Sequence, residues 1–398
     1  MEYDVVKENE KIHSLLNSWL IEHSPDIRSK LFMSGNLLKL LKHVFWSQDQ
    51  ELMLLAKSWA EDKIWEVANR DWPSDRKEWS LKQFLCFFPY FLSLEDQKVK
   101  LPILNSDRWI QETFNVEHIP LMPKYFPKSD QFYAYGLKPE NPDYKSMLLY
   151  KGTTYPADSG YWTTLMADLF PFTDIGAPIL WFGREHVSAW AEKQITGIDV
   201  MGKSLGGALS LMSHDIKNVQ TVTAANPALP SSSNQISSGT QRTIILNRED
   251  SISKIGVIPE DVIVKQAEIQ GADKLPGGIA HAQPWLMNQD AILTELNDVQ
   301  KTDRKYKTWV WIYWLVRPIT FCVFLPFYLL HLMILYMRDA VVLLFKECIR
   351  FLQMSPLVLS SYGPSRESNS FDDHPDDELF VHHNSPKPSC SNIKPLIV

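Results

Sequence analysis

A serine flanked by glycines has the clearest chemical signature in this sequence. Ser204 stands in the run Gly202-Lys-Ser-Leu-Gly-Gly-Ala208, directly after residues 198–201, whose apolar character predicts a short strand. The spacing G-x-S-x-G is typical of a sharp turn from a strand into a helix, where glycines avoid clashes and the serine hydroxyl is exposed. Backbone N–H groups at the start of that helix can stabilise developing negative charge. The pattern therefore predicts a serine nucleophile.

The same residues also fit the pattern of a phosphate-binding loop. The stretch from Gly197 to Ser204 matches G-x-x-x-x-G-K-[ST] at every defined position. A phosphate-binding loop follows directly after a strand. The residues that precede Gly197 here, 188–194, have a helical pattern instead. The pair Gly206-Gly207 is explained by the nucleophile turn and has no role in a phosphate-binding loop. Nucleotide binding is the alternative to a serine nucleophile here.

A nucleophilic serine needs a base and an acid that orients the base. After this kind of turn they follow in the chain order Ser, Asp or Glu, His. Residues 243–246 predict a strand, and Asp250 comes shortly after it, with Glu249 as a reserve candidate. His281 is the one histidine between Asp250 and the apolar segment that begins at residue 318. We therefore expect Asp250 to be the acid and His281 to be the base.

Two hydrogen-bond donors are expected to hold the oxyanion of the reaction. The first is the backbone N–H of Leu205, next to the nucleophile. The second is expected in the loop after an early strand, and Thr153 follows a predicted strand over residues 146–150. Thr153 could donate through both its backbone N–H and its hydroxyl.

The order of these segments resembles the class 3 lipases of the α/β-hydrolase fold. The segments are Leu149-Tyr-Lys-Gly-Thr153, Gly202-Lys-Ser-Leu-Gly-Gly-Ala208, Ala225-Asn-Pro227, Asn247-Arg-Glu-Asp250 and His281. Lys151 and Lys203 stand where that family usually has arginine and histidine. The resemblance covers residues 146–285 and implies an α/β-hydrolase fold and ester hydrolysis without a metal or other cofactor. It also implies the roles of nucleophile for Ser204, acid for Asp250, base for His281 and oxyanion hole for Leu205 and Thr153.

The composition limits the class of protein. A chain of 398 residues that is 45% hydrophobic and 22% charged is neither wholly disordered nor fibrous. Its formal net charge of -7 gives no general attraction to nucleic acid. The 4 cysteines form no C-x-x-C pair, which disfavours a disulfide framework and a zinc ribbon.

The chain that must position the site residues changes character three times. Residues 1–125 have apolar residues at helical spacing and predict a helical region without chemistry. Residues 126–300 alternate short apolar runs with helical stretches, which predicts an α/β domain with a mostly parallel sheet. Residues 301–357 predict a hydrophobic, membrane-associated segment. Residues 358–398, which are rich in Ser, Pro and Asp, predict a disordered tail.

The apolar segment has the length of one bilayer crossing. Residues 318–337 contain one strongly polar residue, His331, and about 20 apolar residues span a bilayer. Pro318 and Pro326 leave a re-entrant hairpin as an alternative. More basic residues precede the segment than follow it, which predicts that the α/β part lies on the cytoplasmic side. The polar, acidic start of the sequence predicts no cleavable signal peptide.

Together these patterns predict a membrane-associated serine hydrolase that cleaves carboxylic esters, in particular acyl esters of lipids, through an acyl-enzyme. A thioesterase or an acyltransferase would use the same residues. The alternatives are a nucleotide-binding protein that uses Gly197 to Ser204 and a lipase-fold membrane scaffold without activity. The expected partners are a lipid or ester substrate and a membrane, with no nucleic acid.

Overall fold

The computed structural model describes residues 50–105, 108–127, 130–154, 160–230, 239–254, 256–269, 281, 284–287, 291–303 and 307–359. The part of the predicted helical region before residue 50 and the predicted tail from residue 360 onward lie outside the described residues. The described chain up to Ala340 belongs to one compact unit, and the part from Val341 onward belongs to another.

Within the described residues, nine strands form one sheet in which they lie side by side in chain order. Neighbouring strands from β4 to β8 are parallel, whereas β1 to β4, and β8 with β9, pair in antiparallel fashion. The strands are β1 (Lys98–Asn105), β2 (Arg108–Pro120), β3 (Tyr133–Pro139), β4 (Ser146–Tyr150), β5 (Ile198–Lys203), β6 (Val219–Ala225), β7 (Gln241–Asn247), β8 (Ile263–Glu268) and β9 (Ile292–Glu295).

The sheet is therefore mixed, and the prediction of a mostly parallel sheet is wrong. Part of the error arises because β1 and β2 lie within residues 1–125, which were predicted to be helical, so the sheet begins well before residue 126. Buried Val99 and Leu101 alternate with exposed Lys98 and Lys100 in β1. That period of two is the signal of a strand, and it was available in the sequence.

Helices pack against both faces of the sheet. The described helices are α1 (Gln50–Asn69), α2 (Ser74–Phe87), α3 (Tyr161–Leu169), α4 (Ala177–Glu192), α5 (Leu205–Met212), α6 (Asp298–Asp303) and α7 (Lys307–Leu359), of which α1, α2, α4 and α5 contact the strands. In β4, Met147 and Leu149 join the core cluster that contains α1 and α2, whereas Leu148 and Tyr150 join the cluster that contains α4 and α5. Because successive strand residues face opposite sides, a strand covered on both faces is apolar throughout. This explains the continuous apolar run that predicted β4.

The last helix, α7, continues through Pro318 and Pro326, so the predicted hairpin alternative is wrong. Its segment Leu315–Arg350 is long and apolar enough to cross a membrane, judged by length and composition. Only 6% of its most apolar window is buried, whereas the core helix of a soluble protein is mostly buried. The helix therefore presents a large apolar surface, of the kind that marks an interaction with a membrane or a partner.

Candidate active site

Ser204 occupies a strained turn between β5 and α5. Its backbone has φ 58° and ψ -122°, a conformation that costs a residue other than glycine on the order of 1–3 kcal/mol. The N–H of Ser204 donates to the carbonyl of Ala225 at 3.1 Å, and its carbonyl accepts from the N–H groups of Ala208 at 3.0 Å and Ala228 at 3.2 Å. These three bonds hold the turn in its strained form.

The glycines around Ser204 are required by close backbone contacts. A Cβ on Gly202 would lie 2.2 Å from the carbonyl oxygen of Gly206, and a Cβ on Gly206 would lie 2.3 Å from that of Tyr150. One of these oxygens belongs to the helix α5 and the other to the strand β4, and neither backbone can move aside, so neither position admits a larger residue. The glycine spacing that predicted the turn thus has a steric cause.

Ser204, His281 and Asp250 form one continuous line of hydrogen bonds. The distance from His281 Nε2 to Ser204 Oγ is 2.8 Å, and the distance from His281 Nδ1 to Asp250 Oδ1 is 3.0 Å. A neutral ring with its proton on Nδ1 satisfies both contacts, because Nδ1–H then donates to Asp250 and Nε2 accepts from the serine hydroxyl. That tautomer is the one a general base needs. The three residues come from positions 77 and 31 residues apart in the chain.

Asp250 is held in place by the turn that follows it. Its side chain is fully buried, and its carboxylate accepts from the backbone N–H of Ile252 at 2.9 Å and of Ser253 at 3.2 Å. Burial would raise the pKa of Asp250, but the His281 ring and these hydrogen bonds outweigh it and lower that pKa. The reserve candidate, Glu249, instead pairs loosely with basic neighbours on the surface. Asp250 therefore stays ionised against the imidazole.

Lys203 is a buried cation beside the serine whose environment the sequence reasoning missed. Its Nζ lies 5.1 Å from the ring centroid of Phe87 and 5.6 Å from that of Tyr90. Burial lowers the pKa of Lys203 to about 8, against the opposing charge of Asp250. The pKa of His281 is also lowered, first by burial and then by the charge of Lys203. Both effects favour the neutral imidazole.

The helical region before the sheet also contributes to the site, although the sequence predicted no chemistry for it. Tyr90 follows α2, and its hydroxyl donates to the carbonyl of Thr153 at 3.3 Å. A Cβ on Gly152 would lie 2.3 Å from Tyr90 Oη and 3.4 Å from Ser204 Cβ. The loop of Gly152 and Thr153 therefore passes between Tyr90 and the nucleophile, as expected for an oxyanion loop. No local pattern around Tyr90 signalled this contact.

Thr153 reaches the expected loop, but its hydroxyl has another partner. Thr153 Oγ1 donates to Asp168 Oδ2 at 2.6 Å, so in this geometry its backbone N–H is the donor left for an oxyanion, beside that of Leu205 at the first position of α5. Burial raises the pKa of Asp168 to about 7, although Thr153 and Arg317 oppose the shift. The structure thus gives the Thr153 hydroxyl an acceptor other than the oxyanion for which the sequence analysis considered it. In the sequence, Asp168 is the single charged residue of the stretch that forms α3. Such an isolated acid in an apolar helix needs a specific partner when it is buried, and this pattern could have marked it.

A buried arginine joins α7 to the residues around Asp168. The guanidinium of Arg317 donates to the carbonyl oxygens of Asp168 at 2.9 Å, Phe170 at 2.5 Å and Thr173 at 3.2 Å. Arg317 is 3% exposed. The apolar helix is thus attached to the segment that carries the hydrogen-bond partner of Thr153.

The residues of the alternative phosphate-binding loop are arranged as a strand. Residues 198–203 pair with β4 on one side and β6 on the other, so most of the backbone between Gly197 and Ser204 belongs to the sheet. A phosphate-binding loop would need that stretch to curve around its ligand. Among the described residues, no group of three or more His, Cys, Asp or Glu side chains is placed to hold a metal ion.

The five site residues predicted from the sequence thus fall into two groups in space. Ser204, His281 and Asp250 are in direct contact, and Leu205 and Thr153 lie in the two segments next to the serine. Their catalytic roles stay predictions. Comparisons of the chain with protein-family models, with curated proteins and with solved structures find no significant match.

Proposed function

We propose that the protein is a serine hydrolase of the α/β-hydrolase fold that cleaves carboxylic esters through a covalent acyl-enzyme. The observation that carries this proposal is the unbroken hydrogen-bonded line from Ser204 through His281 to Asp250, with the serine on a strained strand-to-helix turn. The fold assignment is supported by the four parallel strand pairs around β5 and by the position of the acid after β7.

The geometry suits acyl transfer step by step. His281 Nε2 takes the proton of Ser204 as Oγ attacks the ester carbonyl, and Asp250 stabilises the imidazolium that forms. The backbone N–H groups of Leu205 and Thr153 receive the oxyanion. The tetrahedral intermediate expels the alcohol, which takes the proton from His281. A water molecule then gives its proton to His281, attacks the acyl-enzyme and releases the acid, restoring Ser204.

A lipid ester is the proposed substrate because α7 combines an apolar surface with attachment to the site. The segment Leu315–Arg350 suits a bilayer by length and composition, and Arg317 fixes its start to the residues around Asp168. We propose that α7 holds the catalytic unit at a membrane surface. The excess of basic residues before this segment favours the cytoplasmic side.

The test is active-site labelling and turnover of the full-length protein in detergent micelles. A fluorophosphonate probe should label the wild type and not Ser204→Ala, and hydrolysis of p-nitrophenyl esters should fall by a factor of about 10³ or more in Ser204→Ala. Ser188→Ala, a serine change on α4, is the matched control and should keep both activities. Equal labelling and turnover in wild type and Ser204→Ala would contradict the proposal.

The same triad serves acyltransferases and thioesterases, so the acyl acceptor needs its own measurement. Products should be analysed with water alone and with an added alcohol or thiol. Release of free acid under all conditions supports hydrolysis, whereas transfer to the added alcohol would reassign the enzyme as an acyltransferase.

A further inference from the structure

An apolar cavity lies between α3, α4 and α7. Its volume is about 230 Å³, and its walls include Met166 of α3, Ile179 and Phe182 of α4, and Phe321 and Leu325 of α7. Among the described residues that line it, Thr163 and Tyr328 are the polar ones, and the Thr163 hydroxyl already donates to Asp130 at 2.9 Å. A charged or strongly polar group would lose its hydration in such a cavity without compensation.

Two of the elements that wall the cavity contact the segments on either side of Ser204. Ala167 and Phe170 line it and flank Asp168, which accepts the hydrogen bond of Thr153. At the start of α4, a Cβ on Gly176 would lie 2.8 Å from Leu205 Cδ1, and Leu205 directly follows Ser204. The helices α3 and α4 therefore contact the two segments beside Ser204, α3 through Asp168 and α4 through its start at Gly176.

The apolar surroundings of the cavity continue to the molecular surface. The Phe170 ring contacts the rings of Phe172, Trp181 and Phe321, with centroids 5.6, 6.1 and 5.6 Å away. Phe172 is 80% exposed and Trp181 is 61% exposed. Exposed apolar side chains of this size, next to a helix suited to a bilayer, place the cavity wall where the hydrocarbon of a membrane would meet the protein.

From these contacts we propose that the cavity between α3, α4 and α7 binds one acyl chain of a bilayer lipid ester while its carbonyl is held at Ser204. The inference rests on the proposed hydrolase function. Pockets for whole drug-sized ligands have volumes of roughly 300–1,000 Å³, and this one is smaller, which suits a single chain. Its apolar lining excludes the head group, which stays in the aqueous layer.

Filling the cavity from α7 tests this assignment without touching the triad. Leu325→Trp places a larger side chain in the cavity, and Val323→Trp, on an exposed position of the same helix, is the matched control. In phosphatidylcholine nanodiscs, Leu325→Trp should lower kcat/KM for p-nitrophenyl palmitate at least about tenfold. Each methylene kept out of an apolar site costs about fourfold in affinity. Its kcat/KM for p-nitrophenyl acetate, and both values of the control, should stay within twofold of wild type.

A binding measurement in Ser204→Ala protein separates this inference from the proposed function. A palmitate ester with a diazirine near its chain end should, on irradiation, label peptides of α3 and α7, and Leu325→Trp should abolish that labelling. Labelling without any Ser204-dependent hydrolysis overturns the hydrolase proposal alone. Hydrolysis of long-chain esters with no cavity labelling, or with an unchanged chain-length profile in Leu325→Trp, overturns the acyl site alone.

Discussion

At the scale of single residues, the unusual feature of the site is a lysine where a histidine is usual in the lipases that the sequence resembles. Lys203 is buried against Phe87 and Tyr90, and its charge is the second cause, after burial, of the lowered pKa of His281. A base must be neutral to accept the serine proton. In the proposed mechanism, the charge of Lys203 therefore keeps His281 neutral, and able to act as the base, at a lower pH.

Removing this charge should shift the pH dependence of catalysis. In Lys203→Met the pKa of His281 should rise toward its ordinary value of about 6.5, since one of the two causes that lower it is gone. The acid limb of the kcat/KM profile, where activity rises with pH as His281 loses its proton, should then move to higher pH. Ester hydrolysis measured from pH 4.5 to 8 checks this.

The control for this experiment is Lys217→Met, which removes an exposed lysine and should leave the acid limb in place. An identical limb in wild type and Lys203→Met would show that the charge of Lys203 does not act on His281. Loss of turnover without a shifted limb would indicate a packing role only.

At the scale of elements, α7 is attached to the catalytic unit by the buried guanidinium of Arg317, beside ring contacts such as that of Phe321 with Phe170. Arg317 satisfies three carbonyl oxygens, of Asp168, Phe170 and Thr173, around the end of α3. Buried carbonyl groups without partners cost about 1–3 kcal/mol each. Removal of Arg317 should therefore cost more stability than the loss of one charge, because no other side chain presents as many donors in one plane.

Replacing Arg317 should destabilise the loop after α3. We expect Arg317→Met to lower the free energy of unfolding by about 3 kcal/mol, which lowers the melting temperature by roughly 4–6 °C in a unit of this size. Arg317→Lys should be intermediate, because an ammonium group cannot reach three carbonyl oxygens in this fork geometry. Intrinsic fluorescence during heating in micelles measures all variants.

Arg338→Met is the matched control on the same helix, since Arg338 is exposed and pairs with its neighbour Asp339. It should melt within about 2 °C of the wild type, as expected for a surface ion pair. Equal melting temperatures for Arg317→Met and Arg338→Met would contradict the attachment role of Arg317.

The sequence was sufficient for the elements whose pattern is local. The apolar runs predicted β4, β5 and β7 to within a few residues of their observed bounds, and glycine spacing predicted the turn at Ser204. The triad followed because its chain order is fixed once the turn is known.

Tyr90 and Asp168 were missed because they act on Thr153 across 63 and 15 residues, and no local period records such a contact. The antiparallel pairs were missed because an apolar run does not specify the direction of its neighbour.

At the scale of the whole molecule, α7 presents an exposed apolar face, which we propose inserts into a membrane. Leu315, Ile319 and Val323 are 67%, 60% and 56% exposed, a distribution suited to hydrocarbon rather than water. A charged residue at the middle of a spanning helix costs about 2.5–3.5 kcal/mol. Two such charges together cost about 5–7 kcal/mol, which opposes insertion of the helix.

Charges on that face should release the protein from membranes. The double change Val323→Glu and Leu330→Glu alters exposed side chains only and should move most of the protein from the pellet to the supernatant after alkaline carbonate extraction. Ile195→Glu, at an apolar side chain that is 96% exposed and outside α7, should leave the partition unchanged. Retention of the double variant in the pellet would exclude α7 as the anchor.

The side-by-side order of the nine strands has a consequence for biosynthesis. Because every strand pairs with its neighbours in the chain, a nascent polypeptide can extend the sheet as each strand leaves the ribosome, without waiting for a distant partner. The elbow serine is synthesised first, then its acid, then its base, and α7 comes after all of them. The sheet can thus form in water before the most apolar helix emerges, and the contacts of Arg317 and of the cavity wall with the segment around Asp168 form last.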